Sequence, residues 1–521
     1  GLPSLVIPNQ VKTIGDSAFS GCSKIASVTF GSGVESIGAS AFSGCKALTG
    51  LTIPDNVKSV GASAFNGCSV LAGAVVGDGV AAVPSRMFGD CTMLASVVIG
   101  SGALSIDFNA FAGVASLSVL TVDADNPNYS SRDCVLFNKD QTTLIHYLYC
   151  FPKDYVIPGT VTAIGEGAFY GFKLLSSVVI PAGVESIGAS AFYGCTGLTG
   201  ITVPAGVKKI DTKTFYGCTG LTAVSLPAGL ESIEAEAFSG CAKLVSVPLP
   251  STLVAIKTSA FLNCAAMTSL VMPNSVSTLG ASAYSGCKGL TSASLSNILT
   301  TIPDSAFIKC TGLASLTIPD SVTNIGPNAF NGCTGLTALK ISAGVTNIGV
   351  SAFAGCTKLA SLRIPNSTTI IGESAFAGCT AVGRIVLGSE LTDIGVNAFK
   401  GCTGITAVAV PNNVSTIRST AFQNCSKLAT AYFYGNAPLM GTGVFSGCAA
   451  GFKVRYVSSA SGFSALWSGY PAEVFTPLKN IVITPSTSAP TNANVSVAIE
   501  YLYDSDLREY KIDNGIWTAY T

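Results

Sequence analysis

Apolar positions recur with a period of 23 residues along most of the chain. The clearest marker is an aromatic residue, which repeats at this interval from Phe19 to Phe111 and again from Phe169 to Phe445. A cysteine follows nearly every one of these aromatic residues by three positions. A period kept this strictly predicts a solenoid, because one coil cannot bury its apolar face alone and must stack on its neighbours.

Each period also contains the alternation of apolar and polar residues that is typical of β-strands. In one copy, Leu51 and Ile53 predict a short strand with one inward face. Pro54 cannot donate to a strand ladder and ends that strand. Val57 and Val60 predict a second inward-facing segment, after which the aromatic residue and the cysteine close the coil in a tight turn.

The residue before the repeating cysteine has a restricted composition. It is glycine in twelve of sixteen coils, and in the others it is Asp90, Asn263, Lys309 or Asn424. Glycine, asparagine and aspartate tolerate positive φ best, so this position predicts a left-handed backbone. Lys309 is then expected to carry strain or a local change of the turn.

The unit Leu-x-x-Leu-x-Ile-Pro … Val-x-x-Ile-Gly-x-x-Ala-Phe-x-Gly-Cys resembles the BspA-like class of bacterial leucine-rich repeat, and the copy from Leu313 to Cys333 is the best single match. The resemblance covers residues 2 to about 457. It implies a β-rich repeat solenoid, a right-handed leucine-rich-repeat coil of about 19 repeats, as the usual chirality of such crossovers also favours. It further implies a secreted or surface protein without catalytic residues; some relatives act as adhesins or bind host matrix proteins.

Some segments depart from the repeat within the solenoid predicted at 1–457. The 58-residue interval between Phe111 and Phe169 holds an insertion at about 123–157, in which two β-rich runs around a polar turn predict a hairpin. Residues 458–478 are predicted to form a C-terminal cap and linker whose aromatic residues cover the open end of the core. Residues 479–521 resemble part of a bacterial immunoglobulin-like module, a partial β-sandwich. The native protein is expected to extend beyond both ends of this sequence.

The charge content argues against several classes of partner. Only 11% of the 521 residues are charged, and the 28 lysines and arginines equal the 28 aspartates and glutamates in number. No net field therefore attracts nucleic acid or an anionic membrane. Mean hydropathy is +0.53, but no run of about 18 consecutive apolar residues exists, so we expect a soluble monomer without membrane insertion.

Sixteen of the eighteen cysteines lie in the single column of the repeat. Stacked coils are about 4.8 Å apart, whereas a disulfide needs Cβ atoms at about 3.8 Å, so we interpret the column as buried free thiols that pack as small apolar groups. Cys134 and Cys150 lie outside the column, on either side of the predicted hairpin. They either form a disulfide that pins the insertion or remain two unpaired thiols.

Residues that could carry catalysis or hold a metal are few. His146 is the only histidine, and a single strand histidine favours an ordinary structural role over a catalytic triad. Asp123, Asp125 and Asn128 suggest a calcium loop, but glycine and glutamate are missing from the positions where such a loop needs them. We therefore predict no enzymatic activity, no metal and no cofactor.

Outward strand positions are mostly small and uncharged, and two groups of surface residues stand out. Lys340, Arg363 and Arg384 form a basic group that is either a binding patch or a solvated face. Tyr170, Tyr193 and Tyr216 each follow a ladder phenylalanine and either receive a sugar or partner protein or simply cover the turn.

These patterns predict a non-enzymatic extracellular or cell-surface protein. The favoured function is that of an adhesin, which presents an extended repeat face to a host protein or glycan. The alternative is a passive stalk that spaces other domains from the cell envelope. The mostly small and uncharged residues of the outward face are also compatible with this role.

Overall fold

The computed structural model describes residues 3–114, 116–148, 153–477, 510–513 and 516–519. The chain divides into two compact units, Gly1–Thr268 and Ser269–Thr521. Each unit is a β-solenoid, and the two together contain about 19 turns and no helix among the described residues. The described residues therefore include no helix long and apolar enough to cross a membrane.

In the first unit, most coils contribute one strand of three or four residues and one of two residues. The longer strands are Ser4–Val6, Ser27–Thr29, Gly50–Ile53, Gly73–Val76, Ser96–Ile99, Val119–Val122, Asp154–Val156, Ser177–Val179, Gly200–Thr202 and Ala223–Ser225. The two-residue strands are Thr13–Ile14, Ser36–Ile37, Ser59–Val60, Ala82–Val83, Ser105–Ile106, Ala163–Ile164, Ser186–Ile187, Lys209–Ile210, Ser232–Ile233 and Ala255–Ile256. The insertion adds Tyr129–Arg132, Val135–Asn138 and Thr143–Tyr147.

The second unit repeats this arrangement. Its longer strands are Ser269–Val271, Ser292–Ser294, Ser315–Ile318, Ala338–Ile341, Ser361–Arg363, Arg384–Val386, Ala407–Val410, Thr430–Phe433 and Lys453–Val457. Its two-residue strands are Thr278–Leu279, Thr301–Ile302, Asn324–Ile325, Asn347–Ile348, Ile370–Ile371, Asp393–Ile394, Thr416–Ile417 and Leu439–Met440. Leu466–Trp467 and Tyr470–Phe475 follow, and Tyr510–Asp513 pairs antiparallel with Ile516–Ala519.

Neighbouring coils pair in parallel with a register of one repeat. Leu316 lies opposite Leu339, and Ile325 lies opposite Ile348, each pair 23 residues apart. The turns pair in the same way, since the N–H of most ladder aromatic residues donates to the next coil, as Phe353 does to the carbonyl of Ala375 at 2.8 Å. The solenoid and its stacking are thus those that the period predicts.

The ladder aromatic residues stack on one another in two runs in the first unit, from Phe19 to Phe111 and from Phe169 to Phe261, and in one run in the second unit, from Tyr284 to Phe445. Phe353 is fully buried, and its ring centroid lies 5.2 Å from that of Phe330 and 5.3 Å from that of Phe376. The ring planes deviate from parallel by only 9° and 2°. Each ring therefore packs against both neighbours, which couples the stability of adjacent coils.

All sixteen column cysteines are unbridged, and fourteen of them are buried. Their thiols also make a contact that the sequence did not reveal. The Sγ atom of Cys218 donates to the carbonyl oxygen of Phe192 at 3.0 Å, and Cys333 donates to Phe307 at 3.2 Å. Each thiol thus satisfies a carbonyl of the preceding coil, which an alanine of similar volume cannot do.

The predicted left-handed position is confirmed in every described coil. Gly355 has a φ of +72° there, and Lys309 adopts φ +59° rather than a different turn. A second left-handed column, two residues before the ladder aromatic, was not predicted. It is mostly serine, as at Ser305 (φ +56°) and Ser351 (φ +53°). The two left-handed residues flank the ladder aromatic and form the tight turn that points its ring inward.

Replacing Lys309 by glycine is expected to stabilise the second unit by up to about 1 kcal/mol, because the left-handed conformation is strained for a lysine and not for a glycine. The shift of the urea unfolding midpoint measures this effect. The matched control is Lys400→Gly at an exposed turn position that is not left-handed, where glycine should lower the midpoint. A Lys309→Gly variant less stable than the wild type would show that the lysine is not strained.

The insertion contains a hairpin and an additional coil. Val135–Asn138 pairs antiparallel with Thr143–Tyr147, which in turn pairs in parallel with Ala163–Ile164. Tyr147 takes the place of a ladder phenylalanine, because its N–H donates to Ala168 at 2.8 Å and its ring lies 5.1 Å from Phe169. The insertion therefore adds one ring, that of Tyr147, to the aromatic stack that begins at Phe169, although it interrupts the 23-residue period.

Aromatic residues pack against the last strands of the second unit. Trp467 contacts Phe433 and Phe463 at centroid distances of 5.3 and 4.8 Å, and Tyr470 lies 5.6 Å from Phe445. Apart from the strand pair noted above, the predicted immunoglobulin-like module at 479–521 lies outside the described residues.

Candidate functional site

The strongest candidate site is a groove in the second unit, beside two basic residues on neighbouring coils. Lys340 is the third residue of Ala338–Ile341, and Arg363 is the last residue of Ser361–Arg363. Both side chains are exposed and line a groove of about 470 Å³. The structure therefore brings together the two residues whose 23-residue spacing predicted that they stack.

Arg384 occupies a different place. It lies opposite Ser361 in the strand register, two positions along the strand from Arg363. It does not contribute to the lining of the groove. The basic group thus consists of a pair at the groove and a third cation beside it.

The groove forms where two small residues follow the longer strand of one coil. Ser342 stands at the position of Pro319 and Pro365 in the flanking coils, and Ala343 stands between Asp320 and Asn366. The small Ala343 side chain leaves space between its two larger neighbours, and Ser342, Asp320 and Asn366 all line the groove. No sequence signal marks these residues, because the two positions vary from coil to coil, as in Pro181-Ala182 and Ser296-Asn297.

The cations at the groove are not neutralised by any residue that the structure describes. Among the described residues, Lys340, Arg363 and Arg384 form no ion pair or hydrogen bond with another side chain. Asp320 lines the same groove without approaching either cation within 4.0 Å. The two cations and one carboxylate give the groove a net charge of about +1. The two stacked cations also repel each other, and an anionic ligand would offset this repulsion.

The polar groups around the cations supply both donors and acceptors. The Oδ1 atom of Asn366 accepts the N–H of Ser389 at 3.2 Å, and its amide N–H groups are additional donors. Ser367 donates its hydroxyl to the carbonyl of Val345 at 2.8 Å, so its oxygen remains an acceptor. The groove can therefore bind an anion and hydroxyl groups together.

The predicted tyrosine column is a stack of rings in the first unit. The centroids of Tyr170 and Tyr193 are 4.6 Å apart, those of Tyr193 and Tyr216 are 4.8 Å apart, and all planes agree within 9°. Burial and the two neighbouring phenols raise the pKa of Tyr193. Because the rings cover one another's faces, they present edges and hydroxyl groups outward; their role in binding stays a prediction.

Phe108 extends this column across the insertion, and the sequence did not reveal it. Its ring lies 5.9 Å from that of Tyr170. Gly167 gives it room, because a Cβ atom there would lie 2.4 Å from Cδ2 of Phe108, and φ at Gly167 is +61°. No regular spacing links Phe108 to the tyrosines, so the period could not predict this contact.

The remaining candidates, the histidine and the possible calcium loop of the insertion, lie in the interior or in a hydrogen-bonded turn. Burial lowers the pKa of His146 to about 4, and its Nδ1 atom has no hydrogen-bond partner. Asp123 accepts the N–H of Asp125 at 2.8 Å within a turn. The buried Asn126 ties that turn to the preceding coil, since its Nδ2 atom donates to the carbonyls of Gly100 and Ala103 at 3.1 Å each. The part of the chain that is described contains no group of three potential metal ligands.

The possible disulfide involves one described residue. Cys134 is buried in the insertion and adopts a φ of +53°. Cys150 lies outside the described residues. The pairing of these two cysteines stays a prediction.

Comparison with known families identifies the repeat. The model of the BspA type leucine rich repeat region matches with six copies, over residues 1–118, 146–266, 208–337, 254–380 and 329–451. These matches cover well over half of the chain. No curated protein matches the sequence.

Several solved structures contain similar repeats. A leucine-rich repeat protein from Bacteroides ovatus is 26% identical, over 79% of this chain and 88% of that chain, with a TM-score of 0.45. One from Eubacterium ventriosum is 24% identical, over 54% of this chain and 88% of that chain, with a TM-score of 0.42. A leucine rich cell surface protein from Faecalibacterium prausnitzii is 22% identical, over 84% of this chain and 89% of that chain, with a TM-score of 0.31.

Proposed function

Because the chain belongs to the family of BspA-type leucine-rich repeat proteins, we propose that it is a non-enzymatic binding protein of the bacterial cell surface or of the secreted fraction. It presents the outward face of its repeats to a host protein or glycan and acts as an adhesin. The observation that carries this proposal is the groove of about 470 Å³ beside the unpaired cations Lys340 and Arg363.

The composition of the outward face supports a local binding site over a general electrostatic one. Positions such as Ser315, Thr317 and Ser361 are exposed, small and uncharged. Against this background, a stacked lysine and arginine at a groove are exceptional. Like charges on adjacent strands lower stability unless something offsets them, which favours a role in binding. The balanced total charge argues against nucleic acid as the partner.

A passive stalk is the second candidate. The small, uncharged residues at the outward positions favour it. The stacked phenylalanines also favour it, because each ring packs on the next coil and so stiffens the solenoid. A spacer needs no groove and no unpaired charges. The two candidates therefore differ in whether the chain by itself has a specific ligand.

An array of glycans and matrix proteins probed with the labelled chain separates the two. We expect a small set of ligands whose signals are displaced by an excess of unlabelled chain. A stalk would give no displaceable signal on any spot. Absence of such signals on both the protein and the glycan sections would contradict the binding function.

A further inference from the structure

We propose that the groove beside Lys340 and Arg363 binds an acidic saccharide, a sugar that carries carboxylate or sulfate groups. This inference rests on the proposed binding function and names the ligand class. It follows from three features of the groove, which are its charge, its mixture of donors and acceptors, and its apolar lining.

The charge requires an anionic group. Lys340 and Arg363 stand one above the other in the same column, and neither is paired within the described residues. An arginine guanidinium offers two parallel donors that match a carboxylate or sulfate, and a lysine adds a further positive charge. A single anionic group held between them would contact both and, together with the carboxylate of Asp320, balance their charge.

The carboxylate of Asp320 argues against a bare anion as the ligand. It lines the same groove and would repel sulfate, phosphate or a strongly acidic peptide. A carboxylate can only accept hydrogen bonds when ionised, so it requires donors from the ligand. Sugar hydroxyl groups are such donors, and they also accept from the amide N–H groups of Asn366.

Apolar side chains complete the site. Leu339, Ile341 and Pro365 line the groove beside the polar residues. Leu339 is partly exposed, whereas Leu316 and Leu362, in the same position of the flanking coils, are buried. The aliphatic lining suits the C–H face of a sugar ring, and the volume falls in the range of about 300–1,000 Å³ that is typical of small-ligand pockets.

The test titrates the full chain with four probes: tetragalacturonate, a sulfated galacto-oligosaccharide of equal length, neutral galactotetraose and inorganic sulfate. At least one acidic oligosaccharide is expected to bind about 10-fold or more tightly than the neutral one, and the binding should weaken as salt is added. The two acidic probes distinguish carboxylate from sulfate as the anionic group. Equal affinity for the neutral sugar, or equally tight binding of inorganic sulfate, would overturn the proposal.

A double variant, Lys340→Thr with Arg363→Thr, tests the site itself. Threonine is the residue at this column in the preceding coil, Thr317, so the repeat accommodates it. Loss of two charge-assisted contacts should weaken acidic saccharide binding by about 10- to 100-fold. The matched control, Lys400→Thr with Lys427→Thr, removes two exposed cations of the same unit that do not line the groove and should change affinity by less than about 2-fold. Equal weakening in both variants would contradict a specific site.

Asp320→Ala separates a sugar from a simple anion. It removes an acceptor for sugar hydroxyl groups and should weaken saccharide binding by about 3- to 10-fold. For a simple anion it removes a repulsive charge and should strengthen binding. Stronger saccharide binding in this variant would therefore overturn the proposal.

The outcomes also separate this inference from the proposed function. If the array yields a protein ligand whose binding is unaffected by the Lys340→Thr and Arg363→Thr changes, the saccharide site fails and the binding function stands. If acidic peptides rich in glutamate bind the groove more tightly than the saccharides, the ligand class is wrong. If nothing binds in either experiment, both proposals fail.

Discussion

Raising the pH from about 8 to about 10 is expected to destabilise both units strongly. Burial raises the pKa of the thiols of Cys218 and Cys333 to about 12, one in each unit. An unfolded cysteine has a pKa of about 8.5 and therefore loses its proton first as the pH rises. The stabilising effect of each protonated, buried thiol is complete below pH of about 8.5 and is lost progressively as the pH approaches the folded pKa.

The expected size follows from this difference. Each such thiol lowers the free energy of unfolding by about 1.4 kcal/mol per pH unit, or about 2 kcal/mol at pH 10. Burial raises the pKa of at least three column thiols in each unit, which are Cys195, Cys218 and Cys241 in the first and Cys310, Cys333 and Cys425 in the second. Three such thiols together lower the free energy of unfolding of a unit by about 6 kcal/mol at pH 10, which is comparable to the stability of about 5–15 kcal/mol that is typical of a domain.

Urea unfolding midpoints at several pH values, in the presence of a reductant, measure this effect. The matched control is Cys218→Ala with Cys333→Ala. These variants should be less stable at neutral pH, because the hydrogen bonds to Phe192 and Phe307 are lost, but their stability should fall less steeply above pH of about 8.5. A wild-type midpoint that does not change up to pH of about 10 would contradict the buried protonated column.

Phe353→Ala is expected to destabilise the second unit by about 3–5 kcal/mol, since it removes a fully buried ring from the core. The loss of stacking on both Phe330 and Phe376 places the effect at the upper end of this range. The urea midpoint again provides the measurement, together with amide hydrogen exchange in the two adjacent coils, whose protection should fall most.

The comparison variant for this prediction is Val350→Ala, in the same coil, where the side chain is 45% exposed. It should change the free energy of unfolding by less than about 0.5 kcal/mol. A loss below about 1 kcal/mol in Phe353→Ala would mean that neighbouring coils do not depend on the stack.

The period predicted the scaffold because the same contacts repeat in every coil. The left-handed residue before the cysteine was recognisable, since its substitutes Asp90, Asn263 and Asn424 share one backbone preference. The second left-handed column, two residues before the ladder aromatic, could not be predicted because serine is common in turns of many kinds. The place of Tyr147 in the aromatic stack could not be predicted for a different reason. It lies 22 residues before Phe169 and so falls outside the 23-residue register.

The site was predictable in part for the same reason. The spacing of Lys340 and Arg363 equals one repeat, whereas Arg384 follows Arg363 by 21 residues and falls two positions short of the column. The groove itself could not be predicted, because its depth depends on the space that Ala343 leaves between Asp320 and Asn366. Repeated apolar positions thus carry stability in this chain, and we attribute binding to outward positions where charged residues replace small, uncharged ones such as Thr317.

Joint measurement of stability and ligand binding in the variant with Lys340→Thr and Arg363→Thr tests this division most directly. We expect its urea midpoint to equal or slightly exceed that of the wild type, because two stacked like charges are removed, while its affinity for the acidic saccharide falls by about 10- to 100-fold. A lower midpoint with unchanged affinity would show that these two residues belong to the scaffold and would contradict the account.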